Sequence, residues 1–214
     1  FGGGLRLDGG DEALVLTKRM FGGDASIEFW VKPAKLPDEH ATLVQIRQTD
    51  NVLARPLALH LLADGTLRLV WFDTPGSASR FKLPAGEWTH VLLVFRMPGG
   101  GDPLSAAVSC NAEQVLTSES PEYDYRRHNA SRHDAQYVIG NGERGRSGLV
   151  GWIDELRVCD RAIELHDRTL DAIDPARPLT PHAGQPYFRD EGDLIFHLPF
   201  DHALRPTRAA GGAR

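Results

Sequence analysis

LVGWIDELRVCDRAI, residues Leu149 to Ile163, is the stretch whose reading decides the fold. Side chains along a strand alternate between the two faces of a sheet. On that rule Val150, Trp152, Asp154, Leu156 and Val158 share one face, and Gly151, Ile153, Glu155, Arg157 and Cys159 share the other. The first row is apolar except for Asp154. An ionised carboxylate among apolar neighbours is costly unless it is paired, hydrogen-bonded or bound to a cation. Asp154 is therefore expected either to anchor loop amides, as buried polar groups usually do, or to belong to a cation site. Glu155 and Arg157 are same-face neighbours and are expected to pair at the surface, where such a pair contributes little.

Working outward, short apolar runs recur with turn chemistry between them, the pattern of an all-β sandwich. Ala25 to Lys32 alternates Ile27, Phe29 and Val31 against Glu28, Trp30 and Lys32, and Pro33 ends it because proline cannot donate to a ladder. Thr89 to Arg96, THVLLVFR, is nearly all apolar and reads as a central strand. Asp64-Gly65 between Leu57–Leu62 and Thr66–Phe72 is a strong hairpin signal. Asn111-Ala112 joins Leu104–Cys110 to Glu113–Thr117 in the same way. Leu5–Leu7, Ala13–Leu16, Ala41–Arg47, Ser79–Leu83, Tyr137–Gly140 and Asp193–Phe200 complete the expected strands. Arg161 to Ile173 reads as one short C-terminal helix with Leu165 and Leu170 on its inner side. The segment from Asp174 to Asp190 holds four prolines and reads as a linker. These readings divide the chain into a sandwich over 1–170, a linker over 171–192 and a further strand within 193–214.

The chain has 214 residues, 41% of them hydrophobic, enough to bury a core without staples. Its formal net charge of -5 argues against a nucleic-acid partner, and no basic cluster with interleaved aromatics appears. No apolar run is long enough to insert in a membrane as a helix. Cys110 and Cys159 lie near the ends of two expected strands and are left open as bridged or free. The chain opens on Phe1, which reads as a mature or excised piece, so its N-terminus does not report localisation.

The order FGGGLRLDGG, SIEFWVKP, LALHLLADGTLRL, GEWTHVLLVF, YVIGN, LVGWIDELRVCDRAI resembles the laminin-G-like, concanavalin A-like lectin and glucanase domains, most of all their pentraxin-type subgroup. The resemblance covers Phe1 to Leu170. It implies a two-sheet antiparallel jelly roll, each sheet with six or seven strands, and an extracellular, periplasmic or cell-surface location in a bacterial exported protein. In such domains a strand reading like HLPFD comes ahead of the FGGGLRLDG segment. Here it stands at the end, within Phe196 to Asp201. It either starts a second copy or docks back to complete the sheet, and docking is the expected structural outcome because a missing strand leaves an unpaired edge.

The resemblance also implies a calcium site. In pentraxins an Asp-Asn pair after the fourth strand and acidic or amide residues after the YVIG-like strand bind the ion; here these are Asp50, Asn51, Asn141 and Glu143. Calcium takes about six to eight oxygens of this kind. Arg144 and Arg146 stand where the family adds carboxylates, which lowers cation affinity. Two ordinary polar turns are the alternative. A second cation site would use Asp154 with the Asp8 loop or Asp201.

Related glucanases carry a Glu-x-Asp-x-x-Glu strand, and a retaining pair needs carboxyl groups about 5–5.5 Å apart. In WIDELRV only Asp154 and Glu155 are acidic, and neighbours on a regular strand point to opposite faces. The chain is therefore expected not to be an enzyme. Tyr123, Tyr125, Arg126 and Arg127 in the long polar stretch Ser118 to Ala135, together with Trp71 at a strand end, are the expected ligand contacts, since rings stack on sugar faces. The expectation is a non-catalytic binding module, for glycan or another extracellular ligand, with calcium as a possible aid. The alternative is a structural or protein–protein domain whose partner is a neighbouring protein domain.

Overall fold

The apolar runs separated by glycine, proline and Asx turns all become strands. In this computed structural model the described residues are 4–19, 23–48, 57–71, 74–96, 104–119, 134–141, 148–163, 194–198 and 200. They form β1 (Leu5–Asp8), β2 (Leu14–Arg19), β3 (Ala25–Pro33), β4 (His40–Gln48), β5 (Leu57–Leu62), β6 (Thr66–Trp71), β7 (Thr74–Lys82), β8 (Thr89–Arg96), β9 (Ser105–Cys110), β10 (Glu113–Glu119), β11 (Asp134–Ile139), β12 (Val150–Cys159) and β13 (Leu194–Leu198). Among the described residues there is no helix, and the expected helix lies outside them beyond Ile163.

The strands build two antiparallel sheets, as a jelly-roll sandwich requires. The first has seven strands in the order β1-β12-β3-β8-β9-β10, with β13 also paired to β12; the second has six, in the order β2-β11-β4-β5-β6-β7. Alternation then sorts the side chains. Ile27, Phe29 and Val31 of β3 and Val91, Leu93 and Phe95 of β8 face the interior from one sheet. Leu57, Leu59 and Leu61 of β5, Leu67, Leu69 and Trp71 of β6, and Tyr137 and Ile139 of β11 meet them from the other. Each such side chain contributes roughly 1.5–3 kcal/mol by leaving water.

β12 departs from the expected alternation. Its register against β3 shifts between Asp154 and Arg157, and Glu155 has φ 51. This is a β-bulge, which inserts an extra residue and re-aims the side chains that follow. Ile153 faces the core before it, and Leu156 and Val158 face the core after it, so the interior row switches parity in mid-strand. Val150 and Trp152, expected in the core row, are half-buried on the outside. The left-handed conformation at Glu155 costs on the order of 1–2 kcal/mol. Asp154 offsets it by accepting the Glu155 N–H on Oδ1 at 2.9 Å. Of the two roles expected for Asp154, this geometry is the amide anchor.

The two cysteines are both buried. Cys110 belongs to the inter-sheet core, whereas Cys159 packs with Leu92, Val94 and Ile163 on the outer face of the seven-stranded sheet. A sheet separates them, so no bridge joins them. Burial, reinforced by Glu113, pushes the Cys110 thiol up to about 12.

Candidate functional site

Three segments meet at one end of the sandwich and line an open cleft of about 770 Å³. The β1–β2 turn supplies Asp8, Gly9 and Gly10; the β3–β4 connection supplies Lys35, Leu36, Pro37, Asp38 and Glu39; the start of β12 supplies Gly148, Leu149 and Val150. His40 and Ala41 close the wall where β4 begins.

Local chemistry makes each turn. In the first, the Asp8 N–H donates to Glu12 Oε2 at 2.8 Å, and Gly9 and Gly10 both have positive φ, 81 and 68. Gly148 is pressed against them: a Cβ there would lie 2.8 Å from the Gly10 backbone. The Gly10 carbonyl accepts a hydrogen bond from Asn141 Nδ2 at 2.7 Å, and Asn141 is 2% exposed. The second turn is tied to β12 by the Ala34 N–H, which donates to the Val150 carbonyl at 2.8 Å. The pocket is thus a cleft whose lining includes the charged residues Asp8, Lys35, Asp38 and Glu39 and, where β4 begins, His40. Carboxylates accept hydrogen bonds from hydroxyls, and ammonium and peptide N–H groups donate to them. Its volume is that of a small-molecule cleft, about 300–1,000 Å³.

The residues expected from sequence lie elsewhere or serve differently. Trp71 is a correction: it is 1% exposed, packs edge-on against Phe95, and donates Nε1–H to Ser118 Oγ at 2.8 Å. It cannot stack on a ligand because β6 turns that parity inward. Tyr123, Tyr125, Arg126 and Arg127 lie outside the described residues, as do Asp50, Asn51 and Glu143. Asn141 alone of the calcium set is described, and it serves the β1–β2 turn. Among the described residues no three His, Cys, Asp or Glu side chains converge on a metal position.

The expected divergence of Asp154 and Glu155 also fails, because it assumed a regular strand. The bulge leaves both on the outer face of the seven-stranded sheet. There Glu155 receives Arg157 at 2.5 Å and His197 at 2.8 Å, and Glu28 meets His90 at 2.5 Å. The Glu155–Arg157 pair is buried, not the surface pair expected. Trp30 lies edge-on to His90, with ring centroids 5.2 Å apart. Asp154, Glu155 and Glu28 are each 9% exposed or less. Sequence reasoning missed the pocket's Lys35, Asp38, Glu39 and His40. Their signal was present: KLPDEH, residues 35–40, is a charge-rich turn between two apolar strands.

The family described as the concanavalin A-like lectin/glucanases superfamily, in its third laminin-G group, matches residues 8–167. No curated protein matches in sequence. Among solved structures, a heptameric SAP-like pentraxin from Limulus polyphemus superposes with TM-score 0.59 at 16% identity, over 91% of this chain and 90% of that one. A Bacteroides ovatus protein described as a candidate carbohydrate-binding protein gives TM-score 0.57 at 16% identity, over 94% of this chain and 52% of that one. A Trypanosoma rangeli sialidase gives 0.60 at 14% identity, over 78% of this chain and 27% of that one. At these identities the likenesses establish the fold alone.

Proposed function

The chain belongs to the concanavalin A-like lectin/glucanases superfamily, and from that premise we propose that it is a non-catalytic carbohydrate-binding module of an exported protein, with the rim pocket as its binding site. The observation that carries this reading is the 770 Å³ pocket lined by Asp8, Lys35, Asp38, Glu39 and His40 beside Gly9 and Gly10. Hydroxyl-rich ligands are recognised by such convergent donors and acceptors, and rigid turns hold them at low entropic cost. The non-catalytic part is supported by the burial of the outer-face carboxylates, of which Glu155 is bound to Arg157 and His197 and Glu28 to His90. Among the described residues that line the pocket none is Phe, Tyr or Trp, which favours recognition by hydrogen bonds over ring stacking.

The test is a glycan array followed by saturation-transfer NMR on the best binder, with and without chelator. Binding that survives chelator and drops at least about tenfold in Asp38→Asn and Lys35→Ala, the loss of roughly one good hydrogen bond each, supports the pocket. Binding abolished by chelator but intact in both variants assigns recognition to the calcium set of Asp50, Asn51, Asn141 and Glu143 instead. Silence across the array leaves the protein–protein domain as the reading.

A further inference from the structure

Two histidines from neighbouring strands meet on the outer face of the six-stranded sheet. His60 of β5 lies between Leu59 and Leu61, which both enter the core, so alternation turns its ring outward. His40 opens β4 just ahead of the core residue Ala41 and takes the same face. The ladder pairs His40 with Leu62 and Thr42 with His60, so the two histidines are diagonal neighbours on adjacent strands. Their rings meet edge-on, with centroids 4.8 Å apart.

That separation fits two ligands of one ion. An imidazole nitrogen binds zinc at about 2.0–2.1 Å, which puts the ring centre about 3.2 Å from the metal. Two imidazoles at about 90–110° around the ion then have centres about 4.5–5.3 Å apart. Thr42 orients one of the rings: its Oγ1 is 3.1 Å from His60 Nδ1, and Thr42 is wholly buried. With the proton on Nδ1 and donated to that oxygen, the lone pair left for a metal is on Nε2. A hydrogen bond from the second nitrogen is how ligating histidines are usually held. His60 Nε2 and both nitrogens of His40 make no hydrogen bond among the described residues. Burial first, then the charges of His40 and Arg68, keep His60 neutral at pH 7, so no proton has to leave it before a metal binds.

One charge opposes an ion here, because Arg68 of β6 stands opposite His60. Imidazole nitrogens suit zinc, nickel and copper, whereas calcium and magnesium take oxygen ligands. We propose that His40 and His60 form a two-histidine site for a divalent transition metal of the zinc class, with water completing its coordination. The site does not depend on the glycan reading. His40 also lines the rim cleft, so the ion stands at the wall of that cleft.

The test is proton–nitrogen NMR of the histidine rings in the untagged full chain, titrated with Zn2+ alone at neutral pH. One nitrogen of His40 and Nε2 of His60 are expected to shift along a single saturation curve, while His60 Nδ1 keeps its proton. His40→Ala and His60→Ala should each weaken that binding at least about tenfold, because the second nitrogen closes the chelate intramolecularly. Thr42→Val, which removes only the orienting bond, should weaken it by about 10–100-fold. Arg68→Gln should tighten it, since a like charge is removed. Zinc that moves neither ring, or moves the two along separate curves, overturns the proposal. So does a His60 titration that His40→Ala leaves unchanged, because the two rings then share no ion. The titration of the unmodified chain reads both rings directly, so the proposal stays falsifiable even if a variant fails to fold.

Discussion

At Asn141 a single amide sets the position of a turn that borders the pocket. Its bond to the Gly10 carbonyl is buried, so Asn141→Ala leaves that carbonyl unmatched and is expected to cost about 1–3 kcal/mol in urea unfolding. If the pocket binds glycan, the same change weakens binding as well; unchanged stability would remove Asn141 from this role. His60 is a second informative residue. Burial first, then the charges of His40 and Arg68, lower its pKa from 6.5 to about 4. The ring is 3.1 Å from Thr42 Oγ1 and edge-on to His40. A histidine held below its unfolded value binds fewer protons in the native state. Its contribution is therefore complete above pH 6.5 and is lost as pH falls toward 4. His60→Gln is expected to flatten the fall of Tm over that window, measured by calorimetry; an unchanged slope would assign the acid sensitivity to other groups. Trp71 shows the limit of residue-level reading: alternation says that Trp71 and its neighbour face opposite ways, but not which way is in.

The elements repeat that lesson at larger size. All thirteen strands correspond to segments expected from alternation and turn residues, because both are local properties of the chain. The ends moved where the local signal was weak: β7 begins at Thr74, ahead of Ser79, and β11 at Asp134, ahead of Tyr137. The bulge in β12 was not legible, since its cause is the register of β12 against β3 and not anything in IDEL itself. Its Glu155 now holds Arg157 and His197 inside the sheet's outer layer. Glu155→Ala takes the carboxylate from a buried arginine and is expected to cost about 3–5 kcal/mol in denaturant unfolding. A loss under about 1 kcal/mol, the range of surface pairs, would mean that the pair is solvated after all.

For the whole molecule, β12 is the hub: β3 lies on one side, and β1 and β13 share the other. Phe196 and Phe200 join β13 to the common core, so Phe196→Ala is expected to lower stability by about 3–5 kcal/mol in one cooperative transition. Two separate transitions would show that β13 unfolds independently of the sandwich. The candidate site is also a whole-molecule property, for it joins residues 8–10, 35–41 and 148–150. Sequence by itself determined that this chain is a two-sheet antiparallel sandwich, because strand alternation, Asp-Gly and Asn turns and proline stops act between neighbours in the chain. Only the tertiary structure decided the parity switch in β12, the burial of Trp71, the separation of Cys110 from Cys159, and the pocket. Each of these depends on which distant strand lies alongside, and register between strands is settled by the packing of the core as a whole.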